Sequence, residues 1–168
     1  MKAKIENNSF TKTILVSKST TVTFEAIKIF RGWWSEEIDG ITDKLNETFF
    51  YHYKDIHLTK IKMTEMFPDR KLVYQILEND FNFIEDKSEW VNTNLIFDVY
   101  EEAGRTKVKF THLGLVPEYE CFNVCNDAWS GYIGDSLKDF IETGKGNPNP
   151  IGEDGFNATL ARKWALVK

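Results

Sequence analysis

The sequence predicts an α+β fold in which an antiparallel sheet closes around one long helix. Residues 110–115 are typical of a strand and a sharp turn, and residues 122–144 form one long amphipathic segment that ends on a glycine. Several segments with two-residue periodicity precede them, separated by turn residues, which is typical of an antiparallel meander. His112 falls on the inward face of its strand, so we expect a pocket where the sheet meets the helix.

The first predicted elements are a strand and two short helices. Residues 10–17 alternate in polarity, as a strand does. Hydroxyl groups at residues 19–21 can cap a helix whose apolar residues recur with helical spacing up to Gly32. Trp33 and Trp34 then continue as a second short turn. Either both rings plug the end of the sheet, or one ring is exposed at the mouth of the pocket.

Further strands are expected between these helices and the long helix. The first places Phe49, Tyr51 and Tyr53 on one face. A parity change at Leu58 indicates a bulge in the second. The predicted strands are residues 48–54, 57–66, 71–77, 93–100 and 107–112, with a polar loop at residues 79–92.

The long helix is predicted from an apolar stripe between Phe122 and Phe140, with polar residues on the opposite side. Gly144 is a stop signal, and the prolines that follow prevent the helix from resuming. Gly131 and Gly134 within the helix each cost about 1 kcal/mol relative to alanine, which implies a bend or a close approach. Gly131 falls on the polar side, so packing against the sheet does not explain it.

Composition restricts the class of protein. A chain of 168 residues with 42% hydrophobic and 14% aromatic residues is expected to form one globular domain with a single core. The formal net charge of -5 argues against a nucleic-acid partner, since nucleic acids are bound through lysine and arginine. No apolar run has the length of a signal peptide or a membrane span, so the protein is predicted to be cytoplasmic and not embedded in a membrane.

No motif predicts a cofactor or a metal site, because the sequence lacks a glycine-rich phosphate loop after a strand, a nucleophile elbow and a metal-binding histidine pair. Cys121 and Cys125 are interpreted as buried thiols, since a disulfide framework or a zinc site needs further cysteines or ligands. Polar residues on inward faces are candidate pocket groups, among them His112, Ser136 and Gln75. Alternatively, each of them is hydrogen-bonded within an ordinary core.

Several motifs occur in order along the chain. They are FEAI at residues 24–27, GWWS at 32–35, EW at 89–90, FTHLGL at 110–115, Trp129 with SLK at 136–138, and GKGNP at 144–148. Together with the order of the elements, these motifs resemble the START-like helix-grip superfamily (SRPBCC), in the AHSA-like branch related to activators of the ATPase of the 90-kDa heat-shock chaperone. The resemblance implies a helix-grip fold, in which a curved sheet grips the long helix with a hydrophobic cavity between them.

The resemblance also implies a division of the chain. Residues 1–148 are expected to form the helix-grip domain, and residues 149–168 a tail of unknown role. Asn157 is expected to cap a short helix in this tail.

Three functions agree with this resemblance. The first is a small soluble protein that binds an apolar or aromatic small molecule or a lipid in the cavity. The second is a cyclase or hydrolase in which His112, with Tyr51 or Tyr53, transfers protons; it is less favoured, because no partner carboxylate can be assigned. The third is a protein that contacts the 90-kDa chaperone. The sequence specifies neither one ligand nor an oligomeric state. The predicted cavity residues are Trp34, Phe49, Tyr51, Tyr53, Phe97, Phe110, His112, Trp129, Tyr132, Ile133 and Ser136.

Overall fold

One curved antiparallel sheet of seven strands forms the body of the protein in a computed structural model that describes residues 9–87 and 89–166. The strands are β1 (Phe10–Val16), β2 (Ile38–Gly40), β3 (Thr48–Tyr53), β4 (His57–Phe67), β5 (Lys71–Phe81), β6 (Asn94–Glu102) and β7 (Arg105–Leu113). Their spatial order is β1-β7-β6-β5-β4-β3-β2, and β1 pairs with β7 so that Phe10 lies opposite His112. The predicted antiparallel sheet is therefore confirmed.

Helices pack against the sheet. Within the described residues they are α1 (Thr20–Ile27), α2 (Phe30–Trp33), α3 (residues 122–143) and α4 (Phe156–Lys163). α3 is the predicted long helix, and it consists of α-helical Phe122–Gly131, π-helical Tyr132–Leu137 and α-helical Lys138–Thr143. None of the helices in this part of the chain is long and apolar enough to cross a membrane.

The strand boundaries differ from the prediction by more than two residues in two places. β2 was not predicted, because three residues are too few to show an alternating pattern. β5 continues to Phe81, so the first residues of the predicted loop at 79–92 belong to a strand. Both differences extend the sheet beyond its predicted limits.

The bulge that was expected near Leu58 is not observed there, because Leu58 pairs in register with Asp80. The register between β4 and β5 shifts between Lys60 and Ile61 and again between Met63 and Glu65. Each shift adds a residue to one strand and bends it, which is how an antiparallel sheet acquires curvature.

The inward face of β5 differs from the prediction. Leu72, Tyr74 and Ile76 face the core with 0% exposure, and Gln75 is half-buried on the other face. The prediction that Gln75 points inward is wrong. The run from Lys71 to Leu77 carries apolar side chains at both parities, so its alternation does not identify the buried face.

Trp33 and Trp34 form a buried plug. Their exposed fractions are 0% and 1%, and the Trp33 indole N–H donates to the carbonyl oxygen of Ile27 across 3.0 Å. Asn149 Nδ2 donates to the carbonyl oxygen of Trp34 across 3.0 Å, so the tail covers this end of the sheet. The alternative with one ring exposed at the mouth of the pocket is therefore wrong.

The motif glycines lie where α2 meets the end of α3. A Cβ atom on Gly32 would lie 2.5 Å from Cζ of Phe140, and a Cβ atom on Gly146 would lie 2.5 Å from the carbonyl oxygen of Gly32. No side chain larger than hydrogen fits at either position without displacing its neighbour. Gly144 ends α3 in the left-handed conformation with φ 83°, as predicted for a helix stop.

Candidate functional site

An aromatic pocket lies between the end of the sheet formed by β3, β4 and β5 and the first half of α3. The tail closes it on the outer side through α4. Its cavity volume is about 60 Å³. The pocket is lined by Trp34, Tyr51, Tyr53, Ile56, His57, Phe81, Phe83, Trp90, Val124, Cys125, Ala128, Trp129, Tyr132, Asn157, Leu160 and Leu166.

The predicted cavity residues divide into two groups. Trp34, Tyr51, Tyr53, Trp129 and Tyr132 line this pocket. The others are packed in the core or at its edge and do not line it. They are Phe49, Phe97, Phe110, His112, Ile133 and Ser136.

Ser136, Phe97 and Phe110 face inward but do not line the cavity, because each contacts other groups of the protein. The Ser136 hydroxyl donates to the carbonyl oxygen of Trp33 across 2.6 Å and accepts from the Asn147 N–H across 2.7 Å. Phe97 and Phe110 contact each other with ring centroids 5.0 Å apart. These side chains point inward and are already occupied by protein partners.

His112 is fully buried, with both ring nitrogens hydrogen-bonded. The Trp129 indole N–H donates to Nδ1 across 3.0 Å, and Thr93 Oγ1 lies 2.8 Å from Nε2. Because the Thr93 hydroxyl donates to the carbonyl oxygen of Trp90, its oxygen accepts the proton of Nε2. Burial lowers the pKa of His112 to about 3, so the ring is neutral, and protein partners occupy both of its nitrogens.

His57 forms a polar point on the pocket wall that the sequence did not predict. Its Nε2 lies 2.7 Å from Asn79 Oδ1, and Asn79 Nδ2 donates to the carbonyl oxygen of Lys87 across 3.1 Å. This orientation of the amide places the histidine proton on Nε2 and leaves Nδ1 as an acceptor. Burial lowers the pKa of His57 to about 4, which keeps the ring neutral.

Two indole N–H groups on the pocket wall lack an aligned acceptor. Trp34 and Trp90 are 1% and 4% exposed, and neither Nε1 atom has a hydrogen-bond partner within the described part of the chain. Trp34 interacts electrostatically with the Tyr132 hydroxyl, but the geometry is not that of a hydrogen bond. Trp90 stacks on Trp129 with an interplanar angle of 13°, and its ring is perpendicular to that of His57 with the centroids 4.8 Å apart. A buried N–H group without an acceptor lowers the stability of the fold, and such groups are rare in native proteins.

The hydroxyls of Tyr51 and Tyr132 meet the tail inside the pocket. Asn157 Nδ2 donates to the Tyr51 hydroxyl across 2.6 Å, and the Tyr132 hydroxyl donates to Asn157 Oδ1. Asn149 completes the network: its Nδ2 donates to the Tyr132 hydroxyl across 2.9 Å, and its Oδ1 accepts from the Asn157 N–H across 2.7 Å. Burial raises the pKa of both tyrosines, so they remain neutral hydroxyls.

Asn157 is not the helix cap that was predicted. Gly155 occupies the N-cap position of α4, and Asn157 lies inside the helix with its side chain committed to the two tyrosines. The sequence contained no signal for this contact, because an asparagine at a helix start is also typical of a cap.

The two residues of the EW motif have different positions: Trp90 lies in the pocket wall, and the Glu89 side chain contacts the start of α3. The Glu89 carboxylate accepts from the N–H groups of Glu120 and Cys121 across 2.8 and 3.0 Å. Cys121 and Cys125 are both buried, and their mutual hydrogen bond together with burial raises the pKa of Cys121. Cys121 is therefore protonated. Among the described residues, no cluster of three or more histidine, cysteine, aspartate or glutamate side chains could hold a metal ion.

No protein-family model matches the sequence, and a search of curated proteins finds no match. Solved structures do match. The Aha1 dimer from Colwellia psychrerythraea, determined in solution, is 23% identical, with a TM-score of 0.65 over 82% of this chain and 98% of that chain. The chain has an Aha1-like helix-grip fold. The fold that the sequence resemblance implied is thus confirmed.

Two further structures share this Aha1-like fold. CalU16 from Micromonospora echinospora is 12% identical, with a TM-score of 0.57 over 92% of this chain and 82% of that chain. DynU16, a putative protein of the dynemicin biosynthetic locus, is 13% identical, with a TM-score of 0.59 over 83% of this chain and 49% of that chain. At these identities the likeness shows the fold and no shared activity.

Proposed function

We propose that this protein binds an apolar, aromatic small molecule in the pocket between the sheet and α3. The observation that carries the proposal is the indole N–H of Trp90, which is buried in an otherwise aromatic wall and has no acceptor among the described residues. A buried donor without a partner costs roughly 1–3 kcal/mol. A ligand with an acceptor oxygen at this point would remove that cost.

The chemistry of the wall supports a flat ligand with few polar atoms. Trp34, Tyr51 and Trp129 contribute ring faces and edges, and aromatic groups pack well against such surfaces. Pockets for small molecules are mostly apolar with a few converging polar groups. His57 Nδ1 and the Trp90 N–H are an acceptor and a donor of this kind.

The present cavity is smaller than such a ligand. Its volume is about 60 Å³, whereas small-molecule sites usually measure about 300 to 1,000 Å³. Asn157, Leu160 and Leu166 of the tail occupy one side of the pocket. Binding therefore requires these side chains to move away from the wall.

The position of His112 favours binding over catalysis. His112 is sealed from solvent with both nitrogens hydrogen-bonded, so it is not placed to act as the proton carrier of a cyclase or hydrolase. The family resemblance also predicts a contact with the 90-kDa chaperone, which is a separate hypothesis. It is tested by measuring whether the purified protein stimulates the ATPase of that chaperone.

A matched pair of ligands tests the proposed function. 2-Acetylnaphthalene carries a carbonyl acceptor, and 2-ethylnaphthalene has nearly the same shape without it. We expect both to quench tryptophan fluorescence, with the ketone bound about five- to tenfold more tightly through the Trp90 N–H. Trp90→Phe keeps a ring in the wall, and it should remove the preference for the ketone while retaining the affinity for the hydrocarbon. If neither compound binds the wild-type protein or any variant with a loosened tail, the proposed function is wrong.

A further inference from the structure

We propose that the hydroxyls of Tyr51 and Tyr132 are the polar recognition point of this pocket, and that the tail residue Asn157 occupies it in place of a ligand amide. The tail is then a gate, which a ligand with a carboxamide-like group opens by replacing Asn157. This inference rests on the proposed function, because it assigns both the ligand chemistry and the control of the same pocket.

The Asn157 side chain has the contacts expected of a bound ligand group. Its amide accepts from the Tyr132 hydroxyl and donates to the Tyr51 hydroxyl across 2.6 Å, within a cavity wall that is otherwise mostly aromatic. If Asn157 leaves, both hydroxyls lose these partners in a buried site. A molecule that offers one carbonyl oxygen and one N–H in the same arrangement satisfies them again.

The body of the protein contains a docking position for the tail at Gly131. A Cβ atom on Gly131 would lie 2.4 Å from Cζ of Phe156, the first residue of α4. The Phe156 ring also contacts Tyr132 edge-on, with centroids 5.2 Å apart. The glycine on the polar side of α3, which packing against the sheet does not explain, is thus accounted for by the docking of α4.

The outer attachments of α4 are weak enough to be broken. Lys163 Nζ and the Trp164 indole N–H both contact Asp127 Oδ2, across 2.7 and 3.0 Å, on the exposed surface. Exposed ion pairs contribute little to stability because water and salt screen them. Beyond residue 155 the tail is therefore held mainly by Asn157, by the Phe156 ring on Gly131 and by the apolar side chains that enter the pocket. The contacts of Asn157 and of those apolar side chains are the ones that a ligand would replace.

Gly131→Ala tests the gate in the full-length protein. The added methyl group displaces Phe156 and with it α4, while Gly131 itself does not line the pocket. Gly134→Ala is the matched control, because its Cβ atom meets the flexible end of Lys12 at 3.0 Å and not α4. We expect Gly131→Ala to bind naphthalene-2-carboxamide about tenfold more tightly than the wild type, and Gly134→Ala to match the wild type within about twofold. Hydrogen exchange of the α4 amides should be faster in Gly131→Ala alone.

Two further variants keep the test decisive if Gly131→Ala folds poorly. Asp127→Asn weakens the outer attachment without touching the pocket, and it should raise the affinity for the carboxamide by about two- to fivefold. Tyr51→Phe removes the hydroxyl that accepts the amide N–H. Since only naphthalene-2-carboxamide offers an N–H to this hydroxyl, we expect the protein to prefer it to 2-acetylnaphthalene and Tyr51→Phe to abolish that preference.

The outcomes separate this inference from the proposed function. Suppose that the α4 amides exchange hydrogen faster in Gly131→Ala, while naphthalene-2-carboxamide and 2-acetylnaphthalene bind with the wild-type affinity. The proposal that the tail is a gate is then wrong, and the pocket is still a binding site. The same holds if Tyr51→Phe retains the full preference for the carboxamide. Failure of all variants to bind either compound contradicts the proposed function itself.

Discussion

The indole N–H of Trp129 donates a hydrogen bond to Nδ1 of His112 across 3.0 Å and thereby joins α3 to β7 at the centre of the core. Thr93 accepts the proton of Nε2 on the other side of the ring. The bonding pattern needs the neutral imidazole, because a proton on Nδ1 would face the Trp129 N–H. His112 is thus a structural cross-link whose strength depends on its protonation state.

The first prediction concerns pH. The pKa of a histidine in an unfolded chain is about 6.5, whereas burial lowers that of His112 to about 3 in the folded protein. Between these values the unfolded chain binds a proton that the folded protein does not. The free energy of unfolding should therefore fall as the pH is lowered below about 6.5, by about 1.4 kcal/mol per pH unit for this residue. His57, with a pKa lowered to about 4, acts in the same direction.

Urea unfolding of the wild type and of His112→Gln at several pH values between about 7 and 5 measures this effect. Glutamine can accept from Trp129 and does not titrate, so the variant should lose about 1 kcal/mol less per pH unit than the wild type. Equal slopes for the two proteins would contradict the assignment.

Ser136→Ala is expected to destabilise the protein by roughly 2–3 kcal/mol. The substitution leaves the carbonyl oxygen of Trp33 and the N–H of Asn147 without their partner at a site where Ser136 is 4% exposed. Ser130→Ala in the same helix removes only an exposed bond to a helix carbonyl and should change the free energy of unfolding by less than about 0.5 kcal/mol. Chemical denaturation compares the two variants.

Glu89→Ala should destabilise the start of α3. The carboxylate satisfies the N–H groups of Glu120 and Cys121, and charged acceptors make stronger hydrogen bonds than neutral ones. We expect a loss of about 1–3 kcal/mol in thermal or urea unfolding. Glu118→Ala removes an exposed carboxylate from the adjoining turn and serves as the control. An equal effect of both substitutions would show that net charge, and not the bonds of Glu89, is responsible.

Thr23→Val is expected to stabilise the protein. Thr23 is 0% exposed, and its hydroxyl has no hydrogen-bond partner among the described residues. Valine has almost the same shape and buries a methyl group in place of an unsatisfied hydroxyl, so the gain should be about 1 kcal/mol. Thr21→Val, which loses the bond from its hydroxyl to Asp69, should show no such gain.

The sheet and the long helix could be predicted because their patterns are local. Alternation identified the inward face that carries Phe49, Tyr51 and Tyr53, and a stripe identified α3. Parity does not tell which inward side chains border a gap. Phe97 and Phe110 face inward as expected, yet their rings pack against each other and fill the space between them. Whether a gap remains depends on the summed volumes of side chains from several strands.

The contacts of the tail could not be predicted for a different reason. Asn157 bonds to Tyr51, which lies 106 positions away in the chain, and nothing in the local pattern links them. Trp90 lay in a predicted polar loop, where an isolated aromatic residue has no periodicity to place it on a face. The only sign in the sequence that Trp90 matters is that it belongs to the EW motif. For Gly131 the signal in the sequence is its position on the polar side of α3, which indicates a contact with a further segment of the chain.

The pairing of β1 with β7 has a consequence for how the molecule is assembled. Within the described residues β1 has no other neighbour in the sheet. Phe10 can therefore pair with His112 only after β7 has been synthesised. Closing so long a stretch of chain costs entropy before any contact compensates for it, and such folds form slowly. During translation β1, which precedes the other described strands, is therefore among the last strands to join the sheet.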